Sequence, residues 1–139
     1  MKISKRETSY VVRLQKGEEI ITSLQKAAKT KKIKGAFFIG LGVGKDLVLG
    51  YFNAHKKTYI KKVFEGEYEF TNLTGNISKF KDEIVVHCHV TITNCDFNAF
   101  GGHLFQAIVP ATLEIIILPF SKVLKRKRDK ETGLNLIDL

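Results

Sequence analysis

The sequence predicts an α+β domain: a mainly antiparallel β-sheet with one main amphipathic helix near the N-terminus. Two observations lead there. Short runs of alternating apolar and polar residues, bounded by Gly, Asn, Asp or Pro, recur along the chain, as half-buried strands with tight connections do. Only one stretch, after Gly17, carries apolar residues at helical spacing. At 139 residues the chain suits a single domain, 1–139 with a core of about 8–137, and can bury a hydrophobic core without a disulfide or a metal as a staple.

Thr8 to Leu14 alternates as a first strand and ends at Gly17. Glu18 and Glu19 open the helix at the end where carboxylates favour the dipole, Ile20, Ile21, Leu24, Ala27 and Ala28 make its apolar face, and Gly35 stops it. Ala36 to Val43 is a second strand. Gly40, Gly42 and Gly44 fall on one face as a bare backbone stripe, with Phe37, Ile39, Leu41 and Val43 filling the other. Something must approach that stripe closely, a helix or a neighbouring subunit. Leu47–Phe52 and Thr58–Phe64 read as a hairpin, Glu65-Gly66 as a turn, and Tyr68–Leu73 as a strand ending at Thr74-Gly75-Asn76. Ala107–Val109 and Thr112–Leu118 are late strands with Pro110 at their boundary.

The segment Ile84 to Ile92 carries the most chemistry. In an extended strand Ile84, Val86, Cys88, Val90 and Ile92 share one apolar face, while His87 and His89 leave the other with α-carbons about 7 Å apart. Gly101-Gly102-His103 then supplies a third imidazole after a loop, on glycines that ease a turn. Three histidines with an open position suit a divalent metal such as zinc. A wet strand face and an ordinary turn give the same pattern, so spacing leaves both readings open. The remaining histidine, His55, reads as an exposed turn residue. Glu67 and Glu69 share a strand face, and Glu114 lies in an apolar run where it must point outwards or be paired, with a metal or Arg13 as partner. These three are the candidate acids or bases.

Formal net charge is +9, from 23 Lys and Arg against 14 Asp and Glu, which raises the case for an anionic partner such as DNA. The lysines are scattered, so no single patch follows. The densest run, Lys125, Arg126, Lys127 and Arg128, is the candidate nucleic-acid contact, and it also fits a solvated edge strand. Gly40-x-Gly42 and Gly44-Lys45 complete neither a dinucleotide nor a P-loop motif. Cys88 on the apolar face and Cys95 in a loop do not form a secreted disulfide scaffold, and no signal peptide or apolar span of membrane length is evident. A cytoplasmic, soluble protein is expected.

Taken together, Arg13-Leu14 before Gly17-Glu18-Glu19, Gly66-Glu67-Tyr68-Glu69-Phe70 running to Leu73-Thr74-Gly75, His87-Cys88-His89-Val90, Gly101-Gly102-His103-Leu104 and Glu131-Thr132-Gly133-Leu134 resemble the Plants and Prokaryotes Conserved (PPC) domain family over nearly the whole chain. The resemblance implies a homotrimer and a metal, often zinc, on His87, His89 and His103. Plant relatives join the domain to AT-hooks that grip the DNA minor groove, and prokaryotic ones carry a DNA-binding label by analogy. This chain has no Arg-Gly-Arg-Pro hook, and its Gly66–Phe70 segment is acidic where the plant segment carries arginine. The implied fold is also similar to that of acetolactate decarboxylase, a metal enzyme with its own His-x-His pair. Two readings result: a trimeric, metal-binding DNA-associated or interaction module, and a metal-dependent small-molecule enzyme of lyase or hydrolase type that uses the open metal position.

Overall fold

In a computed structural model that describes residues 1–139, the elements run β1 (Lys2–Arg6), β2 (Ser9–Gln15), α1 (Ile20–Thr30), β3 (Ala36–Asn53), β4 (Thr58–Phe80), β5 (Glu83–Thr93), β6 (Ala99–Ile108), β7 (Thr112–Pro119), β8 (Lys125–Arg128) and β9 (Asn135–Ile137). All nine strands join one sheet, ordered β1-β2-β7-β3-β6-β5-β4-β8-β9, and only the β4–β8 pairing is parallel. This is the expected α+β class.

Two strands are far longer than the sequence predicts. β3 pairs with β4 from Ala36 to Asn53, while its other edge serves β7 over Ala36–Gly42 and then β6 from Lys45 to Gly50. The β5–β6 pair closes back onto β4, so the sheet bends round on itself. Glu65-Gly66 is therefore no turn. The register shifts here, opposite Asp46 at φ 52°, and Gly66 at φ +84° absorbs the irregularity as a bulge inside β4. Thr74-Gly75-Asn76 does not end a strand either. A side chain on Gly75 would strike the His87 carbonyl oxygen and the Phe38 ring, so glycine lets β4 lie close to β5. β1, absent from the expected elements, pairs with β2.

The two faces of β3 divide as expected, with the glycine face turned to the core. Ala36, Phe38 and Gly40 face the core, whereas Phe37, Ile39 and Leu41 are exposed. The glycine stripe is covered by neighbouring strands of the same chain. Gly40 and Gly42 lie against the β7 backbone, and Gly44 lies under the Phe70 ring. A run of alternating residues gives the period of a strand but not which face is inward when both faces are apolar.

α1 starts and faces the core as predicted but stops before Gly35: it ends at Thr30, with Lys31 as its C-cap and Lys32 at φ 55°. Glu19 caps it, its carboxylate accepting from the Ile21 and Thr22 amides at 3.1 and 2.7 Å. Ile20, Leu24, Ala27 and Ala28 are buried, and Ile20, Leu24 and Ala28 join a core cluster of 22 residues that includes Leu73, Ile92 and Ile115. Full burial of such a side chain contributes about 1.5–3 kcal/mol, so the fold needs no ion to hold it. No helix is long and apolar enough to cross a membrane.

Candidate metal centre

His87 and His89 leave the same face of β5, and His103 on β6 stands directly opposite His89 in the antiparallel register. The three ring centroids are 5.1, 5.1 and 5.3 Å apart, and one nitrogen from each ring lies within 4.8 Å of the others. The pleat argument thus brings the predicted trio together. Its turn does not exist: Gly101 and Gly102 are strand residues. A β-carbon on Gly102 would lie 2.8 Å from the Gly50 carbonyl oxygen, and one on Gly101 2.8 Å from that of Val90. These glycines let β6 approach β3 and β5 closely, which seats His103 against His89.

Aromatic rings wall one side. Tyr59, tilted, and Phe105, edge-on, pack against His103 with centroids 5.1 and 4.7 Å away, and Lys61 Nζ sits 4.0 Å over the Phe105 ring. The other side is held by Arg126 from β8. Its Nε donates to the buried Ser78 hydroxyl at 2.7 Å, Nη1 to the Asn135 carbonyl at 2.6 Å, and Nη2 to Asn76 Oδ1 at 2.8 Å, with His87 Nδ1 3.4 Å from Nη2. Burial, reinforced by the Arg126 and His89 charges, pushes His87 down to about 4. Burial again, then the neighbouring imidazoles, Arg126 and Lys61, brings His103 to about 4. At neutral pH both rings are uncharged, the form in which imidazole ligates metals. His103 Nδ1 is buried with no hydrogen-bond partner. Three clustered imidazoles, two of them held uncharged, one with an orphaned nitrogen and none with a carboxylate beside it, fit a divalent ion with a position left open.

Residues 1–121 match the family model described as the Plants and Prokaryotes Conserved (PCC) domain. The chain belongs to this family. Among solved structures, a candidate DNA-binding protein of Bacteroides thetaiotaomicron VPI-5482 is 32% identical at TM-score 0.95, covering 99% of this chain and 96% of that one. A plant- and prokaryote-conserved protein of Pyrococcus horikoshii is 31% identical at TM-score 0.88, with coverage of 99% and 94%. A metal-containing protein of Archaeoglobus fulgidus is 30% identical at TM-score 0.89, with coverage of 99% and 96%. No curated protein matches by sequence.

The other candidate residues of this PCC domain lie elsewhere. Glu67 and Glu69 are exposed on β4; Glu69 faces Thr93, whereas Thr74 faces His89. Five residues of strand, about 16 Å, separate them from the histidines. Glu114 is exposed on β7 and stands across from Arg13, outward as expected. His55 is an exposed turn residue, and Cys88 is buried, its thiol pushed up to about 12 by burial. Of the basic run, Arg126 turns inward, Lys127 pairs with Asp138 at 2.7 Å, and Lys125 and Arg128 are exposed.

The fold also makes a feature that scattered lysines did not reveal. An open groove of about 590 Å³ beside the C-terminal end of α1 is lined by Lys29, Lys31, Lys32, Lys34, Lys79 and Lys122, with Asp82 the sole acid among its lining residues. A second hollow lined by Lys34, Lys79, Lys81, Lys125 and Arg126 shares two of these lysines. No signal in the linear sequence joins residues this far apart.

Proposed function

We propose that this PCC-domain protein is a homotrimeric, metal-binding module that associates with DNA. The observation that carries the reading is the lysine groove, whose cations come from the last turn of α1, the α1–β3 connection, β4 and the β7–β8 connection and meet with one carboxylate among them. Such a surface suits a phosphate backbone and reads charge rather than base sequence. The candidate DNA-binding assignment of the Bacteroides relative supports it. Zinc on His87, His89 and His103 is the companion claim, supported by the closeness of the three imidazole donors and the metal-containing Archaeoglobus relative. A trimer is supported by the exposed patch of Phe37, Ile39, Leu41, Val11, Ile116 and Leu118, which neighbour one another across β2, β7 and β3 and are left uncovered by the chain itself.

Fluorescence anisotropy with a labelled duplex over a salt series tests the DNA claim. Affinity falls with salt at a log-log slope near −0.9 per neutralised phosphate, and replacing Lys31, Lys34, Lys79 and Lys122 by Gln flattens that slope by about one per lost contact. Absence of binding at low salt contradicts it. Light scattering at micromolar concentration checks the trimer, with a mass of one chain as the contrary result.

One observation favours a second reading, a metal-dependent small-molecule enzyme of lyase or hydrolase type: an arginine stands beside the histidines, its Nη2 3.4 Å from His87 Nδ1. In that reading the ion supplies Lewis acidity, Arg126 orients the substrate, and Tyr59 and Phe105 limit the access of water. Turnover abolished by His87→Ala in a folded protein supports it.

A further inference from the structure

Arg126 lies beyond the residues 1–121 of the family match, and neither DNA binding nor three-histidine metal binding explains where its side chain goes. It runs inward, half-buried, its fork held by Ser78, Asn135 and Asn76. No carboxylate neutralises it: the ion pairs of the chain lie elsewhere. Lys61 brings a second cation to the same corner over Phe105, which itself packs edge-on against His103. A half-buried, uncompensated guanidinium facing a metal-binding triad is unfavourable unless an anion completes it.

The protons make the case sharper. A guanidinium always donates, so the His87 Nδ1 that lies 3.4 Å from Arg126 Nη2 is the lone-pair nitrogen of a neutral ring. A neutral imidazole that ligates an ion gives its one lone pair to the ion and keeps its proton on the other nitrogen. Whichever nitrogen of His87 becomes the ligand, Arg126 then has no acceptor there. One Nη2 hydrogen of a guanidinium still anchored on Asn76 and Ser78 is then left beside His87 without an acceptor.

We propose that this corner is a binding site for a small oxyanion, a carboxylate or a phosphate, which accepts from Arg126 Nη2 at the open side of the three histidines with Lys61 as an outer cation. A planar fork that has lost one acceptor recognises such a group in the manner usual for arginine. The proposal rests on the reading that His87, His89 and His103 hold a metal, and it assigns that site a class of ligand distinct from the polyanion of the lysine groove.

Cobalt(II)-loaded protein tests it, because visible d–d bands report the surroundings of the ion without any need for turnover. Titration with acetate in one arm and inorganic phosphate in the other shifts the bands saturably, and the stronger arm names the oxyanion. Arg126→Gln weakens that anion at least about tenfold while cobalt still binds. Because Arg126 also anchors β8, Lys61→Gln serves as a second variant away from that anchor, with an expected loss of about threefold. Bands that ignore both anions, or anion affinity unchanged in both variants, overturn the proposal. Absence of cobalt bands overturns the metal reading beneath it, a result that looks different from either.

Discussion

The histidine corner and the lysine groove are two collections of side chains assembled in opposite ways. The corner takes its donors from one antiparallel pair, β5 and β6, where strand alternation and cross-strand register place His87, His89 and His103 within a few ångströms. The groove takes lysines from Lys29 to Lys122, which meet only because the C-terminal end of α1, the end of β4 and the segment after β7 converge. A site written into one hairpin depends on local geometry. A site written into the tertiary fold depends on the whole core.

The strongest break between them comes from the ligands. His103→Ala or His89→Ala lowers metal affinity by more than about a hundredfold, measured by competition with a chromophoric chelator, while the salt slope of DNA binding stays as in the parent. Loss of DNA binding together with the metal would merge the two sites into one.

Gly102→Val comes next. Its β-carbon meets the Gly50 carbonyl oxygen at 2.8 Å, so β6 moves off β3 and carries His103 away from His89. Overpacking of this kind costs about 1–3 kcal/mol, and the urea midpoint and the metal affinity fall together. An unaffected metal affinity would mean that close strand approach does not set the corner.

The converse variant, Gln at Lys31, Lys34, Lys79 and Lys122, leaves metal stoichiometry unchanged while flattening the salt slope. Chelator competition on that variant checks it. The smallest effect is the pH dependence of the metal-free protein. His87 and His103 titrate at about 4 when folded and near 6.5 when unfolded. The unfolded chain therefore binds more protons between those values, and the stability present above pH 6.5 is lost as pH falls toward 4. Urea midpoints across that window show the slope, and His87→Gln with His103→Gln reduces it.

What the sequence made legible follows the same division. The α+β class, the helix with Glu19 at its start, the hairpin around His55 and the histidine trio all rest on periods of two or 3.6 and on near neighbours, which a linear pattern carries. The glycines were misjudged because glycine marks both turns and close approaches. Gly66, Gly75, Gly101 and Gly102 all lie inside strands, and only contacts with Phe38, Gly50 and Val90 reveal why three of them are small. The inward face of β3 was not legible because Phe37, Ile39 and Leu41 look as suited to a core as Ala36, Phe38 and Gly40. Arg126 was indistinguishable from Lys125 and Lys127 in a basic run. Parallel pairing of β8 with β4 puts Arg126 opposite Phe80 and turns its side chain toward Asn76 and His87, a pairing no local rule foretells.

The central claim is that β5 and β6 present three imidazoles to one divalent ion. Elemental analysis of purified protein beside its His87→Ala, His89→Ala and His103→Ala variants tests this most directly. The account predicts about one equivalent of zinc per chain in the parent and little in each variant. Metal content that is substoichiometric after zinc loading, or equal in parent and variants, contradicts it.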